Sequence, residues 1–426
     1  MPGAADGLGA RVFDQTGITG VANGPAPPGA VTAGPGGQDA APLTDEHTRL
    51  LLDDLLEACL AAGASDLHLS PGVPPMIRVN GAMEPVDGYQ RLHPTTIQRA
   101  VFAVLTSAQR DRFEGSKELD CSYTLPGRAR FRVNVMRQRG AVSAVLRAVP
   151  WRIQTLPELG LPEHLARFAA LPRGLVLVTG PTGSGKSTTL ASLVEIANQT
   201  RRGHIVTVED PIEFLFEHKG CVVNQREVGD DTNSFAEALR HVLRQDPDII
   251  VVGEMRDLET MATALTAAET GHLVFATLHT RSAQEAVTRI VDSFPAGQQN
   301  QIRVQLASAL HGVIAQELVR TYDGLGRIPA IEVLVATPAV RNLIRENKIA
   351  QLTGVLESGA QHGMQSMDQG LAHLVTRGRI TFDDAAAVCR DRAELDRLVR
   401  SGGDSTGSAA YLRGAGVSNL TEFPAF

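Results

Sequence analysis

Cysteine is scarce: Cys59, Cys121, Cys221 and Cys389 lie far apart in the 426 residues, with no CxxC pair. That scatter argues against a disulfide framework or a zinc site and fits reduced, packing residues of a cytosolic protein. Aromatic residues are few, at 4%, and there is no basic excess, the formal net charge being −7 and the pI near 6.0. Both shortages weigh against a general nucleic-acid surface, which pairs basic side chains with stacking rings. A local basic stripe can still hide inside an acidic total. No apolar run approaches the roughly 18 residues that cross a bilayer, so no transmembrane segment is expected. The N-terminus lacks the basic-then-apolar layout of a secretory signal.

What the chain does hold is 43% hydrophobic residues, enough for large cores in two or three domains. Residues 1–43 are dominated by Gly, Ala and Pro, as in Gly34-Pro35-Gly36-Gly37; such a stretch cannot offset its ordering entropy and is predicted to be disordered. From Thr44, a plausible N-cap, Leu51, Leu52, Leu55, Leu56 and Cys59 recur at helical spacing as far as Gly63. Leu67 and Leu69 alternate with polar residues, and Met76–Val79, Asn80-Gly81 and Ala82–Val86 read as a tight hairpin. A helical stretch at 95–114 leads to strands near 119–124 and 128–136 across a Pro126-Gly127 turn. This order suggests a small α+β domain over 44–150. After Trp151, strand-like runs at 174–179, 204–209, 248–253 and 272–278 alternate with helical stretches at 186–199, 233–244, 257–269 and 282–293. Alternation of that kind predicts an α/β domain with a parallel sheet, here over 151–400, with 338–400 mostly helical and a flexible Gly/Ser-rich tail from 401 to 426.

The strongest chemical signal is Gly180-Pro181-Thr182-Gly183-Ser184-Gly185-Lys186-Ser187-Thr188. It follows an apolar strand and opens a helix, as a phosphate-binding P-loop must. Its glycines let backbone N–H groups turn toward phosphate oxygens, and the helix N-terminus adds positive dipole character. Lys186 is predicted to reach the β- and γ-phosphates of ATP, and the Ser187 hydroxyl to ligate Mg2+.

Carboxylates that suit hydrolysis end two apolar strands. Asp248–Val252 runs through Gly253 into Glu254, and a strand beside the P-loop strand would deliver that acid toward the γ-phosphate. Glu254 is the candidate for activating or positioning the attacking water. Glu209-Asp210-Pro211-Ile212-Glu213 ends the run His204–Val208, and these acids are candidates for holding the metal's hydration shell or assisting catalysis. His272 and His279 bracket Leu273–Leu278, too far apart along a strand to share a metal. They are read either as sensors of the γ-phosphate and links to a neighbour, or as packed, hydrogen-bonded side chains. Arg128, Arg130 and Arg132 have period two and would project from one strand face, opposite Ala129, Phe131, Val133 and Val135. Phosphate, nearby carboxylates and solvent are the three environments that would relieve their repulsion.

The P-loop, VEDPIEF (208–214), DPDIIVVGEMRDLET (246–260) and TGHLVFATLHT (270–280) together resemble the type II/type IV secretion ATPases. Within that family the chain is most similar to the ATPases that retract type IV pili. This rests on ASDLHLS (64–70), PPMIRVNG (74–81), ARFRVN (129–134), VNQREVG (223–229), AVRNLIRE (339–346) and GMQSMDQ (363–369). The resemblance covers about 45–390.

It implies a PAS-like N-terminal domain, a RecA-like ATPase domain and a homohexameric ring driven by ATP and Mg2+. Lys186 and Ser187 fall at the phosphate and Mg2+ positions, Glu254 at the catalytic glutamate, Glu213 at the key acid of the Asp box, and His272 and His279 at the His box. Arg132 and Arg147 fall where N-terminal-domain arginines approach the γ-phosphate, whereas Arg128 stands where the family has an apolar residue. The implied work is pilus retraction and twitching motility at the inner face of the cytoplasmic membrane. Its implied partners are an inner-membrane platform protein and a second retraction ATPase. No stable nucleic-acid partner is expected. The tetracysteine zinc motif of the extension and type II secretion ATPases is missing, which favours retraction. A paralogous retraction ATPase, an assembly ATPase and a RecA-type nucleic-acid translocase are the competing readings.

Overall fold

The computed structural model describes residues 45–79, 81–149 and 152–402. The extension at 1–43, Thr44, Asn80, Pro150, Trp151 and the tail beyond 402 lie outside the described residues.

The chain opens with helix α1 (Asp45–Ala61), whose Leu52, Leu55, Leu56 and Cys59 are buried, and Gly63 at φ +64 turns it into strand β1 (Asp66–Leu69). Strands β2 (Met76–Val79) and β3 (Ala82–Pro85) pair antiparallel with Val79 opposite Ala82, the register of the predicted hairpin. The single helical stretch expected at 95–114 is two helices, α2 (Pro94–Val104) and α3 (Ser107–Ser116). The reason is local. Gln109 N donates to Thr106 Oγ1 at 3.2 Å while Thr106 N donates to Gln109 Oε1 at 3.0 Å, a capping box that starts a new helix. Strands β4 (Glu118–Leu125), β5 (Ala129–Gln138) and β6 (Ala141–Val149) form a meander. Sequence reading missed β6. It follows a two-residue turn, Arg139-Gly140, in which both residues have positive φ, the conformation that suits a tight hairpin. The sheet order is β3-β2-β1-β6-β5-β4, and Phe131, Val133, Val135, Leu67 and Leu146 share its core with α1, α2 and Phe113 of α3. A fully buried Leu or Phe here contributes about 1.5–3 kcal/mol relative to exposure.

The second sheet is built from β7 (Gly174–Thr179), helix α4 (Lys186–Thr200), β8 (His204–Glu209), β9 (Val222–Glu227), α5 (Phe235–Val242), β10 (Ile249–Val252), α6 (Leu258–Glu269), β11 (Leu273–Leu278), α7 (Ala283–Asp292), α8 (Gln299–Ala309), β12 (Leu310–Arg320) and β13 (Arg327–Val335). Among the described residues its order is β13-β12-β7-β11-β10-β8-β9, parallel except for β13 at one edge. This is the expected α/β domain. β7 and β11 are buried along their whole length, as continuous apolar runs in a parallel sheet should be. One expectation needs correcting: β11, not β10, lies beside the P-loop strand, so the Glu254 strand is one place further out.

Helices α9 (Pro338–Arg345), α10 (Leu352–Ser358), α11 (Met367–Thr376), α12 (Phe382–Ala386) and α13 (Arg392–Arg400) follow. Leu371 of α11 and Leu395 and Leu398 of α13 join Val319 and Ile328 in a smaller core against β12 and β13. The fold's consequence for function is directional. Because β7, β11, β10 and β8 are parallel, their C-terminal ends, and the residues that follow each, emerge at one edge of the sheet.

Candidate nucleotide site

At that edge lies a cavity of about 530 Å³ lined by Gly183, Lys186, Ser187, Thr188, Glu209, Glu213, Glu254 and His279, among others. The P-loop forms one wall. Gly180 has φ +148, and a Cβ there would stand 2.2 Å from the Gln316 carbonyl oxygen; a Cβ on Gly185, at φ +84, would stand 2.8 Å from Gln316 Nε2. Glycine is therefore required twice, by backbone angle and by close approach. Gln316 of β12 grips the loop: its Nε2 donates to Ser184 O at 2.7 Å and its Oε1 accepts from Thr189 Oγ1 at 2.7 Å. Lys186 Nζ donates to Gly180 O at 2.8 Å and Pro181 O at 2.9 Å. Burial pulls the Lys186 ammonium below its ordinary range, against the pull of Glu254, Glu213 and Glu317.

The opposite wall carries the acids. Glu254 Oε2 accepts from Arg256 Nη2 at 2.8 Å, and its Oε1 stands 2.7 Å from His279 Nε2. Burial alone would raise the Glu254 carboxyl, but Arg256 and His279 hold it below the usual carboxylate range. Thr277 donates its hydroxyl to Gly253 O, which ties β11 to the turn that carries Glu254.

Glu209 is turned inward: its Oε1 accepts from Thr207 Oγ1 at 2.6 Å and Gln225 Nε2 at 3.1 Å, and its Oε2 accepts from Glu213 N at 3.4 Å. Burial pushes its carboxyl up despite those bonds. Glu213, in the loop after β8, pairs with Arg132 Nη2 of β5 at 3.1 Å.

Three predicted catalytic residues do not line this cavity: His272, Arg147 and Arg132, the last of which touches it only through Glu213. His272 sits at the opposite end of β11, about 20 Å away along the strand, with Nδ1 3.0 Å from Ala267 O. Arg147 is the cross-strand neighbour of Arg132 but bonds to Asp66 Oδ1 at 2.7 Å. With Arg132 it lines a second cavity of about 480 Å³ that reaches Asp210 and Pro211 from the side of the N-terminal sheet. The three period-two arginines each meet a carboxylate: Arg128 meets Glu57 at 2.9 Å, Arg130 meets Glu227 at 2.9 Å and Arg132 meets Glu213.

Sequence reading missed Gln316, Gln225, Glu227 and Arg256 as members of this constellation. Gln316 had a signal, an amide that with Glu317 interrupts the apolar stretch 313–319, whereas Arg256 gave none beyond standing two residues from Glu254.

The residues fit Mg-ATP. The cradle has backbone donors and a lysine at one helix N-terminus, and carboxylates face it across the cleft. Among the described residues no cluster of three or more His, Cys, Asp or Glu side chains suits a metal ion.

Comparison with known proteins points the same way. The family model for Type II/IV secretion system proteins matches residues 43–387. The type IV pilus retractation ATPase PilT of Pseudomonas aeruginosa is 49% identical over 344 residues, covering 81% of this chain and 98% of that protein. A twitching motility protein of Neisseria gonorrhoeae is 49% identical over 320 residues, 75% of this chain and 84% of that one. The crystal structure of the pilus retraction motor PilT with bound ADP matches with a TM-score of 0.76 at 47% identity, over 81% of this chain and 99% of the other.

Proposed function

The chain belongs to the type II/type IV secretion system protein family, and on that premise we propose that it is a motor ATPase that hydrolyses Mg-ATP to retract type IV pili. The observation that carries the chemistry is the ionised Glu254 facing the P-loop lysine across one cleft. In this reading the phosphates take over the bonds that Lys186 now makes to Gly180 O and Pro181 O, and backbone amides at the start of α4 complete the cradle. Glu254, kept charged by Arg256 and His279, accepts a hydrogen bond from the attacking water and aims it at the γ-phosphate. Mg2+, held by the Ser187 hydroxyl and the phosphates, would neutralise charge on the transferring group. Arg132 leaves Glu213 for phosphate when the N-terminal sheet closes, which would turn nucleotide state into domain movement.

The domains at 44–150 and 151–400, a homohexameric ring, Arg147 and His272 acting within it, the inner-membrane platform protein and a second retraction ATPase as partners complete the proposal. No described helix is long and apolar enough to cross a membrane, so association with the inner membrane face would come through the platform. The test is gene deletion complemented with wild type or Lys186→Ala. Retraction requires that cells without the activity keep surface pili and lose twitching. Loss of the pili themselves would assign the chain to extension instead.

A further inference from the structure

The stretch VNQREVG (223–229) has no part in the phosphate cradle, yet it supplies the floor on which the acidic loop rests. Gln225 and Glu227 are two residues apart on β9 and so point to the same side of the sheet. β9 pairs in parallel with β8, with Gln225 beside Thr207 and Glu227 beside Glu209. From that side Gln225 fixes the loop at three points. Its Nε2 donates to Glu209 Oε1 at 3.1 Å and Phe214 O at 2.8 Å, and its Oε1 accepts from Phe216 N at 2.9 Å.

Glu227 does something different. It is 4% exposed, and one oxygen, Oε2, accepts from Ile212 N at 3.0 Å and from Arg130 Nη2 at 2.9 Å. Ile212 belongs to the acidic loop, whereas Arg130 belongs to β5 of the other sheet. Two residues along β5, Arg132 holds Glu213, the next residue of the same loop. Two arginines on one strand face thus grip two consecutive loop residues, one directly and one through Glu227. Arg130 is itself steered by Ser122, whose Oγ accepts from its Nη2 at 2.5 Å.

We propose that Glu227, clamped by Arg130, is a positioning residue for ATP hydrolysis: it sets where the acidic loop, and with it Glu213, stands in the nucleotide cleft. The proposal rests on the ATPase reading above. A buried ion pair is a poor device for stability, because desolvation offsets most of its attraction. It is a good device for register, because neither partner tolerates being left alone. The loop runs from β8 to β9, and without Glu227 its position near Ile212 is left to Glu209, Gln225 and the Arg132–Glu213 pair.

The test uses the full-length chain and three variants. Glu227→Gln keeps an oxygen for Ile212 N–H but loses the charge that holds Arg130. Arg130→Lys keeps the charge but not the planar fork. Arg130→Met with Glu227→Leu replaces the pair by apolar groups, a change that buried pairs tolerate without loss of fold. Melting temperature, binding of a fluorescent ATP analogue, and kcat and KM for Mg-ATP are measured for each, with Glu254→Gln as the inactive control. A positioning role requires kcat to fall by about tenfold or more while KM and analogue affinity stay within about twofold, because misplacement near the chemistry costs rate before it costs binding. The double variant must melt near wild type and still show the kcat loss. If it does not fold, the kcat-against-KM split in Glu227→Gln and Arg130→Lys decides. Wild-type kcat in Glu227→Gln, with the wild-type protein turning over ATP, overturns the positioning role alone. A wild-type protein that does not hydrolyse ATP overturns the ATPase reading and this proposal with it.

Discussion

His279 Nε2 stands 2.7 Å from Glu254 Oε1, and Arg256 Nη2 holds the other oxygen of the same carboxylate at 2.8 Å. The two residues come from the ends of adjacent parallel strands, β10 and β11, so their meeting is a product of strand order. The pair keeps a half-buried acid charged at the place where a water must be oriented.

Removing either partner should move the acid limb of activity. Burial pushes the Glu254 carboxyl up, and Arg256 and His279 bring it below its ordinary value of 4.5. In His279→Ala or Arg256→Ala the burial effect is less opposed, so the acid limb of kcat should shift to higher pH and the rate at neutral pH fall by about tenfold. Stability carries the matching sign. A depressed carboxyl stabilises the fold above its unfolded value, and that contribution is lost as pH falls through the folded value. A pH–rate profile checks the first point and thermal melts from pH 7 down to pH 3 check the second. An acid limb unmoved in both variants would show that a different group titrates there.

Gln316→Leu should loosen the phosphate cradle. The substitution conserves volume but leaves Ser184 O and the Thr189 hydroxyl without their partner. Each unsatisfied buried group costs about 1–3 kcal/mol, so the melting temperature should drop by several degrees and nucleotide affinity should weaken. Adding Thr189→Val removes one stranded hydroxyl and should recover part of the stability but not the affinity. Calorimetry and nucleotide titration separate the two effects.

Lys186→Met should abolish the stabilisation that Mg-ATP gives, because a ligand that binds only the folded state raises its melting point by mass action. The ligand-free variant carries a second signature. Burial holds the Lys186 ammonium below its ordinary 10.5, so the unfolded chain binds that proton more tightly than the fold does. The resulting penalty is fully present below the folded value and disappears as pH rises to 10.5. Melting temperature of the variant relative to wild type should therefore decline between pH 7 and pH 10. A difference independent of pH would mean that the ammonium is not penalised in the fold.

The strands that sequence reading found and those it missed differ in a physical way. β7, β8, β10 and β11 lie inside a parallel sheet, and burial on both faces writes itself as an unbroken apolar run. β9 is an edge strand, and four of its six side chains are polar, Gln225 and Glu227 among them because they bond to a loop. β12 follows α8 with no residue between them, so neither glycine nor proline marks the change of period. The division at Thr106 was present as a Thr-x-x-Gln pattern but was hidden by apolar periodicity on both sides.

The site divides along the same line. The phosphate cradle was determined by the sequence itself, since nine consecutive residues, Gly180 to Thr188, supply its turn, its donors and its lysine within one loop. Glu254 was likewise legible as a carboxylate at a strand end. Which partner each acid meets was decided only by the tertiary structure. Glu254 meets His279 because β10 and β11 are neighbours, and Glu213 and Glu227 meet Arg132 and Arg130 because a second sheet brings β5 against the loop. Local backbone chemistry is written in spacing along the chain. An ion pair between strands or between sheets depends on packing order, which no spacing along the chain records.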